Sequence, residues 1–331
     1  MVRLSKKPVS MNNRNYSIDI LKFVAAVMVV IVHANDWVGH QVLMPLARSA
    51  VPCFFMISGY LLYSRGGIGR ERLVRNVRHI GVMCAWTFVL FAVVDLIRML
   101  STHTLSMPTA KSLIYLFTFN QYPWFVGGHL WYLLAYMYVL VIMVAVDKYR
   151  LWRWLFASAP LLLVLYFVVQ GMGRSDCTYR NFLFEGLPYF AVGAMVKHWN
   201  RHIISRSNRK LFAVATVFFL LSAYAESFIT GEFCIKIVRE SYYSTPFLAL
   251  FILLFALTTR TTKPNWASRM GCDYSTYIYI FHTLFVRALF PLAFQYLPTI
   301  SQTVYWYLSP LIILVCSVVL TWMLRRMRVN I

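Results

Sequence analysis

The chain has 331 residues, of which 60% are hydrophobic, and Lys and Arg outnumber Asp and Glu by 32 to 11. A soluble domain has about 45–50% apolar residues, so this composition excludes an ordinary soluble globular protein. The net charge of +21 would suggest a nucleic-acid partner in a soluble protein, but here short basic clusters separate apolar runs, which favours the positive-inside topology of a membrane protein.

Ten apolar runs follow one another along the chain and approach the roughly 20 residues that a helix needs to cross the hydrocarbon layer. They cover residues 18–38, 44–63, 80–99, 129–146, 155–171, 184–199, 211–229, 244–259, 273–295 and 304–324. We therefore predict an all-α, polytopic membrane protein of about ten transmembrane helices. A single transmembrane domain at 18–324 is expected between a basic N-terminal segment at 1–17 and a basic tail at 325–331. A further apolar segment at 112–127 is short and interrupted by polar residues, so an interfacial or re-entrant position is expected.

The distribution of basic residues orients this layout in the membrane. Of the 32 Lys and Arg residues, 23 fall on the side of the two termini and 6 on the other side. Because Lys and Arg are enriched in cytoplasmic loops, both termini are predicted to be cytoplasmic. The net charge of +21 is then explained by the membrane topology, so it does not call for a nucleic-acid partner. A basic cytoplasmic face also suits an anionic cofactor or anionic membrane lipid.

Lys22 and His33 lie inside the first predicted span, where a charged side chain costs about 2.5–3.5 kcal/mol and usually faces a partner or a cavity. They are eleven positions apart, which is three helical turns plus about 20°, so they share one helix face and lie about 16 Å apart along the axis. Each also has a structural explanation, since Lys22 can extend to the cytoplasmic surface and His33 can bond to a neighbouring carbonyl. The shared face favours a functional pair but does not name a reaction.

Arg48 and Arg287 also lie inside predicted spans, and His282 lies near the middle of the membrane. The two arginines are expected to pair with acidic residues, which makes their burial tolerable. The candidate partners are Asp36, Asp95, Glu185 and Glu226. His282 either caps a helix contact or lines a cavity. The sequence has no nucleotide-binding loop and no metal-ligand spacing, so a nucleotide-driven pump and a zinc protease are unsupported.

Arg72, Arg75 and Arg78 recur at every third position at the cytoplasmic mouth of the third predicted span. They are either topogenic charges or a clamp for phosphate groups, which guanidinium binds through paired hydrogen bonds.

Five stretches, in one order along residues 22–282, resemble the signatures of the acyltransferase-3 family of bacterial integral-membrane O-acyltransferases. They are Lys22-x10-His33, Phe54-Phe55-Met56-Ile57-Ser58-Gly59-Tyr60-Leu61, Arg72-x-x-Arg75-x-x-Arg78, His129-Leu130-Trp131-Tyr132-Leu133, and Tyr274-Ser275-Thr276-Tyr277-Ile278-Tyr279-Ile280-Phe281-His282. The family often has a proline three residues after its RxxR, where this chain has Gly81, so the detailed shape of that segment stays open.

The resemblance implies a multi-pass enzyme of the bacterial inner membrane. It would transfer an acyl group, usually acetyl, from a cytoplasmic coenzyme A thioester to a hydroxyl of an extracytoplasmic or lipid-linked glycan. Acetyl-CoA, this glycan acceptor and membrane lipid are the expected partners, and no metal is expected.

The matched motifs also suggest roles for single residues. His33 and Lys22 are the expected catalytic residues, and a neutral imidazole at pH 7 can accept a proton. His33 acts either as a general base or as a nucleophile that forms an acyl-imidazole. The expected ligands of the coenzyme A phosphates are Arg72, Arg75 and Arg78. The expected contacts of the substrates are Ser58, His129, Trp131 and His282. Trp131 either belongs to the interfacial aromatic belt or stacks against a sugar ring.

Two other classes of protein are compatible with the composition. A secondary transporter of an anionic solute also has ionisable residues in the membrane and broken segments, but the sequence shows no inverted repeat. A structural or sensory membrane protein would leave the Lys22 and His33 pair unexplained.

Overall fold

The computed structural model describes residues 15–35, 37–64, 66–104, 107–200, 204, 208–230, 240–294 and 299–327. Most of the predicted N-terminal segment, Asp36 and the last four residues of the predicted tail lie outside these ranges. The described residues are all-helical and contain no β-strand, as predicted.

The helices follow the apolar runs of the sequence. They are α1 (Ser17–His33), α2 (His40–Ala47), α3 (Ala50–Leu62), α4 (Arg70–Ser101), α5 (Ala110–Phe119), α6 (Trp131–Lys148), α7 (Trp152–Gly171), α8 (Leu187–His198), α9 (Arg209–Phe228), α10 (Thr245–Thr259), α11 (Trp266–Asp273), α12 (Ser275–Leu284), α13 (Phe290–Ala293) and α14 (Thr299–Arg326). A 3₁₀ turn at Val126–Leu130 leads into α6. Two π-helical turns, Phe182–Gly186 and Phe285–Leu289, precede α8 and α13.

Six helical segments of the described chain are long and apolar enough to cross a membrane. They are His40–Leu62, Arg70–Ser101, Val126–Lys148, Trp152–Gly171, Arg209–Phe228 and Gln302–Arg326. The other four predicted runs also contain helices, but α1 has 17 residues, α10 has 15, and the runs around α8 and α12 include a π-helical turn. The count of about ten spans and the cytoplasmic termini therefore stay predictions. In the segment 112–127, α5 has ten residues and ends at Asn120 in a left-handed conformation.

Glycines on both helices set a close contact between α3 and α8. A Cβ atom at Gly59 of α3 would overlap the Phe190 carbonyl, and a Cβ atom at Gly193 of α8 would overlap the Met56 carbonyl. Because small residues let helix backbones approach closely, this pair of glycines brings α3 and α8 into direct backbone contact. Gly59 belongs to one of the five sequence signatures, so that signature has a packing role.

Helix α1 lies inside the array and packs against α3, α11, α12 and α14. Most of its side chains are buried, among them Ala26, Val29 and Val30. At its N-terminal end, Gly271 of α11 lies directly against the Asp19 carbonyl. This close packing fixes α1 as the axis on which Lys22 and His33 are placed.

Candidate active site

Lys22 and His33 face cavities at opposite ends of α1. Lys22 lines a cavity of about 610 Å³, which we name the Lys22 cavity. His33, the last residue of α1, lines three cavities of about 220, 440 and 60 Å³, which we name the His33 cavities. The helix between them is uninterrupted, which places the two residues about 16 Å apart along its axis. The Lys22 ammonium group forms an ion pair with Asp19 at 3.1 Å.

Three histidines from distant parts of the sequence meet at the end of α1. The ring centroids of His33 and His282 are 4.9 Å apart, and those of His129 and His282 are 5.1 Å apart. His129 and His282 are buried, whereas His33 is partly exposed to the cavities. The structure thus brings together three of the residues singled out in the sequence.

The hydrogen bonds of His129 and His282 fix their rings within the protein. His129 Nε2 donates to the Ile280 carbonyl at 3.0 Å, and its Nδ1 accepts from the Thr283 hydroxyl at 2.8 Å. His282 Nδ1 donates to the Tyr279 carbonyl at 2.7 Å, within its own helix. Of the two alternatives for His282, the structure therefore favours a helix contact, and His282 lines none of the cavities described.

His33 differs from both of its neighbours, because no described residue forms a hydrogen bond with its ring. Both ring nitrogens are available, and the ring borders three cavities. A neutral imidazole in this position can accept a proton from a bound hydroxyl group or attack an electrophilic carbon.

Asp95 of α4 holds the turn that carries His129. Its buried carboxylate accepts hydrogen bonds from the backbone N–H groups of Val126 at 3.0 Å and Gly127 at 3.4 Å, which are the first residues of the 3₁₀ turn. A carboxylate at the N-terminus of a helical turn is favourable, because the free N–H groups carry partial positive charge. The guanidinium of Arg98 lies 3.8 Å from the same carboxylate. Asp95 thus mainly satisfies backbone groups and is a positioning residue.

Asp95→Asn is expected to lower the free energy of unfolding by about 1.5–3 kcal/mol, the usual contribution of hydrogen bonds to a charged group. The amide weakens the acceptor and also brings N–H donors toward backbone N–H groups. Thermal unfolding of the purified protein in detergent measures the effect. Asp273→Asn is the matched control, since Asp273 is exposed and its carboxylate has no hydrogen bond or ion pair with a described residue; equal melting temperatures for the two variants would contradict the assigned role.

An ion-pair network borders the smallest His33 cavity. Arg48 pairs with Glu240 at 2.6 Å, and Arg180 pairs with the same carboxylate at 3.3 Å. Glu185 lines this cavity as well. Burial raises the pKa of the Glu240 carboxyl, but the guanidiniums of Arg48 and Arg180 outweigh that effect and hold the pKa below its ordinary value. The prediction of an acidic partner for Arg48 was therefore right in kind, but it missed Glu240.

Trp131 forms part of the wall of the His33 cavities. It lines two of them and is largely buried. The Arg180 guanidinium lies over its ring, 5.4 Å from the ring centroid. This cation–π contact fixes the indole, and stacking against a sugar stays a prediction.

Arg72, Arg75 and Arg78 lie in the first turns of α4, and none of them lines the Lys22 cavity. Arg72 donates hydrogen bonds to the carbonyls of Leu61 and Leu62 at the end of α3, whereas Arg75 and Arg78 are exposed. The cavity is lined by the residues one helical turn further on, which are Asn76, His79 and Val82. Arg72 thus lies one turn before the first cavity-lining residue of α4, whereas Arg75 and Arg78 alternate along the helix with the cavity-lining Asn76 and His79.

Ser58 lines the Lys22 cavity and donates a hydrogen bond to the Phe54 carbonyl at 2.8 Å. It therefore lies on the opposite side from His129 and Trp131, with which the sequence analysis grouped it.

Tyr132 and Tyr279 separate the Lys22 cavity from the smallest His33 cavity. Both side chains line both cavities, and their ring centroids are 5.2 Å apart. The Tyr279 hydroxyl donates a hydrogen bond to the His129 carbonyl. We name this pair the tyrosine septum. It is one pair of rings thick, so the two cavities are close neighbours inside the protein.

Several residues of this site were not predicted from the sequence. Arg180 and Glu240 lie in segments between predicted spans, and Thr283 follows the last matched motif by one position. The only available signal for Thr283 was its place on a helix beside His282. Among the described residues, no group of His, Cys, Asp or Glu side chains is arranged to hold a metal ion.

Nearly the whole chain is similar to a known protein family. A family model described as "Acyltransferase domain" matches residues 15–326. The chain is also similar to an Enterococcus faecalis protein described as an amino-acid racemase, with 23% identity over an alignment that covers 97% of this chain and 48% of that protein. The chain thus spans about half the length of this curated relative. No solved structure matches the chain.

Proposed function

We propose, starting from the fact that this chain belongs to the acyltransferase-3 family, that it moves an acetyl group from cytoplasmic acetyl-CoA to a glycan hydroxyl. Family membership and the six apolar helices make the chain an integral-membrane acyltransferase. The acetyl donor, the cell-surface or lipid-linked glycan acceptor and the bacterial inner membrane are parts of the proposal.

The observation that carries the proposal is the placement of His33. Its ring has no hydrogen-bond partner among the described residues and borders three cavities. The two rings of the tyrosine septum line both the smallest of these cavities and the Lys22 cavity. When two substrates enter from opposite ends of α1, their reaction requires a free acid–base or nucleophilic group, such as the His33 ring, at the point where they meet.

On the donor side, Arg72, Arg75 and Arg78 would bind the coenzyme A phosphates beside the Lys22 cavity. Lys22 would lie beside the pantetheine chain, and the thioester would reach His33 past the tyrosine septum. Tyr132 and Tyr279 must therefore separate slightly when the donor binds.

At His33, a neutral ring nitrogen accepts the proton of the acceptor hydroxyl as its oxygen attacks the thioester carbonyl carbon. The carbon–sulfur bond then breaks, and the sulfur takes the proton from the imidazolium, which leaves free coenzyme A and an acetyl ester. In the alternative route, the imidazole nitrogen itself attacks the thioester carbon, the carbon–sulfur bond breaks, and coenzyme A leaves with the proton that the ring loses. The glycan hydroxyl then attacks the acyl-imidazole, the carbon–nitrogen bond breaks, and the hydroxyl proton returns to the ring. Incubation with radiolabelled acetyl-CoA without acceptor distinguishes the routes, because only the second leaves label on His33.

Purified protein in lipid nanodiscs and a deletion strain test the proposal together. We expect the protein to release free coenzyme A from acetyl-CoA over many turnovers only when a glycan acceptor is present. The deletion strain is expected to lose O-acetyl groups from one surface glycan, as measured by mass spectrometry. Identical O-acetyl content in all surface glycans of the deletion and parent strains, with no acetyl-CoA consumption, would rule the proposal out.

Lys22→Ala is expected to raise the KM for acetyl-CoA at least about 10-fold, which corresponds to about 1.4 kcal/mol, and to change the acceptor KM less. The reason is that Lys22 lies on the donor side, at the far end of α1 from His33. Steady-state kinetics with each substrate varied in turn measure both constants. Lys111→Ala is the matched control, since Lys111 is exposed on α5; equal effects of Lys22→Ala on both KM values would contradict the placement.

The alternative of an anionic-solute transporter is favoured by one observation, the cavities on two sides of a thin septum. Alternating access uses the same general arrangement. The family match weighs against it, because the matched model describes an acyltransferase.

A further inference from the structure

The two larger His33 cavities are rich in positive charge. Arg180 and Arg287 line the cavity of about 220 Å³, and Arg98 and Arg287 line the cavity of about 440 Å³. Among the described residues, neither cavity is lined by an Asp or Glu side chain. These two cavities therefore suit a negatively charged group.

The positive charge of Arg287 is the least compensated of the three, because Arg287 has no acidic side chain at ion-pair distance. Arg98 and Arg180 are each within 4.0 Å of a carboxylate, whereas no described carboxylate lies within that distance of Arg287. Arg287 Nη1 donates to the Phe125 carbonyl at 2.8 Å, and the guanidinium lies 5.0 Å from the centroid of the Phe125 ring. A guanidinium has five N–H donors, so most of its donors remain available.

The backbone around Arg287 presents its guanidinium to both cavities. Arg287 lies in the π-helical turn Phe285–Leu289, and such turns shift side chains from the regular helical register. The guanidinium passes over Gly128, where a Cβ atom would come within 2.9 Å of Nη1. Glycine at 128 therefore leaves room for the guanidinium between the two cavities.

We propose that Arg287, with Arg180, binds a carboxylate or phosphate group of the acceptor, so that the acceptor is an acidic glycan. This inference rests on the proposed function. A charge in a partly buried site is stabilised by an opposite charge, and no carboxylate of the described residues lies within 4.0 Å of Arg287. The phosphates of the donor are assigned to the opposite end of the protein, which leaves the acceptor as the source of the anion.

Aromatic side chains beside the two arginines suit a sugar ring. Tyr122, Trp124 and Trp131 line the same cavity as Arg180 and Arg287. Aromatic faces contact the apolar faces of a pyranose, while the guanidiniums bind its acidic substituent in paired hydrogen bonds. The hydroxyl to be acetylated then lies close to His33, which lines this cavity as well.

Kinetics with three acceptor probes, each with acetyl-CoA as the donor, test the inference. The probes are methyl β-D-glucopyranoside, methyl β-D-glucopyranosiduronic acid and glucose 6-phosphate, which differ in the presence and kind of acidic group. Wild-type protein is expected to prefer an acidic probe over the neutral one by at least about 10-fold in kcat/KM, in line with charged hydrogen bonds. The preferred acidic probe shows whether the group is a carboxylate or a phosphate.

Arg287→Gln is expected to remove this preference mainly through KM, about 10- to 100-fold for the acidic probe, with the neutral probe unchanged. Arg287→Lys is expected to restore part of it, because Lys keeps the charge but loses the paired geometry. Arg174→Gln is the control, since Arg174 is an exposed arginine that lines neither cavity.

Two results would overturn the inference. One is a wild-type preference for the neutral probe, and the other is an equal fall of kcat for acidic and neutral probes in Arg287→Gln, which would indicate that Arg287 stabilises the reacting oxyanion. Isothermal titration with methyl β-D-glucopyranosiduronic acid separates this question from the proposed function. Binding by wild type but not by Arg287→Gln would support the anion site even if the deletion strain kept all its O-acetyl groups and the protein consumed no acetyl-CoA, the results that rule out the proposed function.

Discussion

His33→Ala is expected to lower kcat for acetyl transfer by about 10²–10⁴-fold, the usual contribution of a positioned general base, and by more if the imidazole is the nucleophile. The protein is expected to stay folded, because the His33 ring forms no hydrogen bond with any described residue. Release of free coenzyme A in the presence of the glycan acceptor measures the rate, and size-exclusion chromatography in detergent measures the fold.

A matched control for His33→Ala replaces a histidine outside the site. His103 is exposed and has a positive φ of 53°, which Asn tolerates better than most residues. His103→Asn is therefore expected to have wild-type activity. A His33→Ala protein that is folded and retains more than a tenth of the wild-type kcat would exclude both proposed roles of His33.

Gly193→Ala is expected to destabilise the protein by about 3 kcal/mol or more, at the upper end of the effects of overpacking. The added methyl group overlaps the Met56 carbonyl, and a backbone atom cannot move aside as a flexible side chain can. Helices α3 and α8 must then separate, and the packing between them is lost. Thermal unfolding and the yield of monodisperse protein in detergent measure the change.

The same substitution at Gly171 is the control for Gly193→Ala. Gly171 ends α7, and no atom within 4 Å would meet its added methyl group. Gly171→Ala is expected to be neutral or slightly stabilising, since Ala favours helix. Equal stability of the two variants would show that α3 and α8 do not depend on direct backbone contact.

The sequence predicted the helical architecture well, because apolar runs bounded by charge clusters are a local signal. It also predicted that Lys22 and His33 share one face of a helix, since helical periodicity needs no tertiary information. The start of α4 was less predictable: the segment 70–78 is rich in arginine, yet it extends the helix back to Arg70. Backbone N–H groups of Ile68 and Gly69 bind the Asp147 carboxylate at that point, a contact between distant residues.

Contacts between distant segments account for the rest of the site. Glu240 is 192 positions from Arg48, and periodicity cannot pair residues at such a distance. His33, His129 and His282 also come from three separate helical segments, and only the matched motifs suggested a common site. His129 and His282 differ from His33 in that each bonds to a backbone carbonyl. Every residue type has such a carbonyl, so the sequence cannot show which histidine will find one.

The tyrosine septum also has an electrical consequence. Moving one elementary charge through a membrane potential of 100 mV costs about 2.3 kcal/mol. Under the proposed function the two cavities open to opposite sides of the membrane, so an open passage between them would let ions cross and dissipate that potential. Tyr132 and Tyr279, whose rings line both cavities, would then close this passage with uncharged groups. Under the proposed function, only the neutral acyl end of the donor passes between them while its phosphates stay on the cytoplasmic side. Acetylation of an external glycan then requires no work against the membrane voltage, and we expect its rate to be the same in energised and de-energised vesicles.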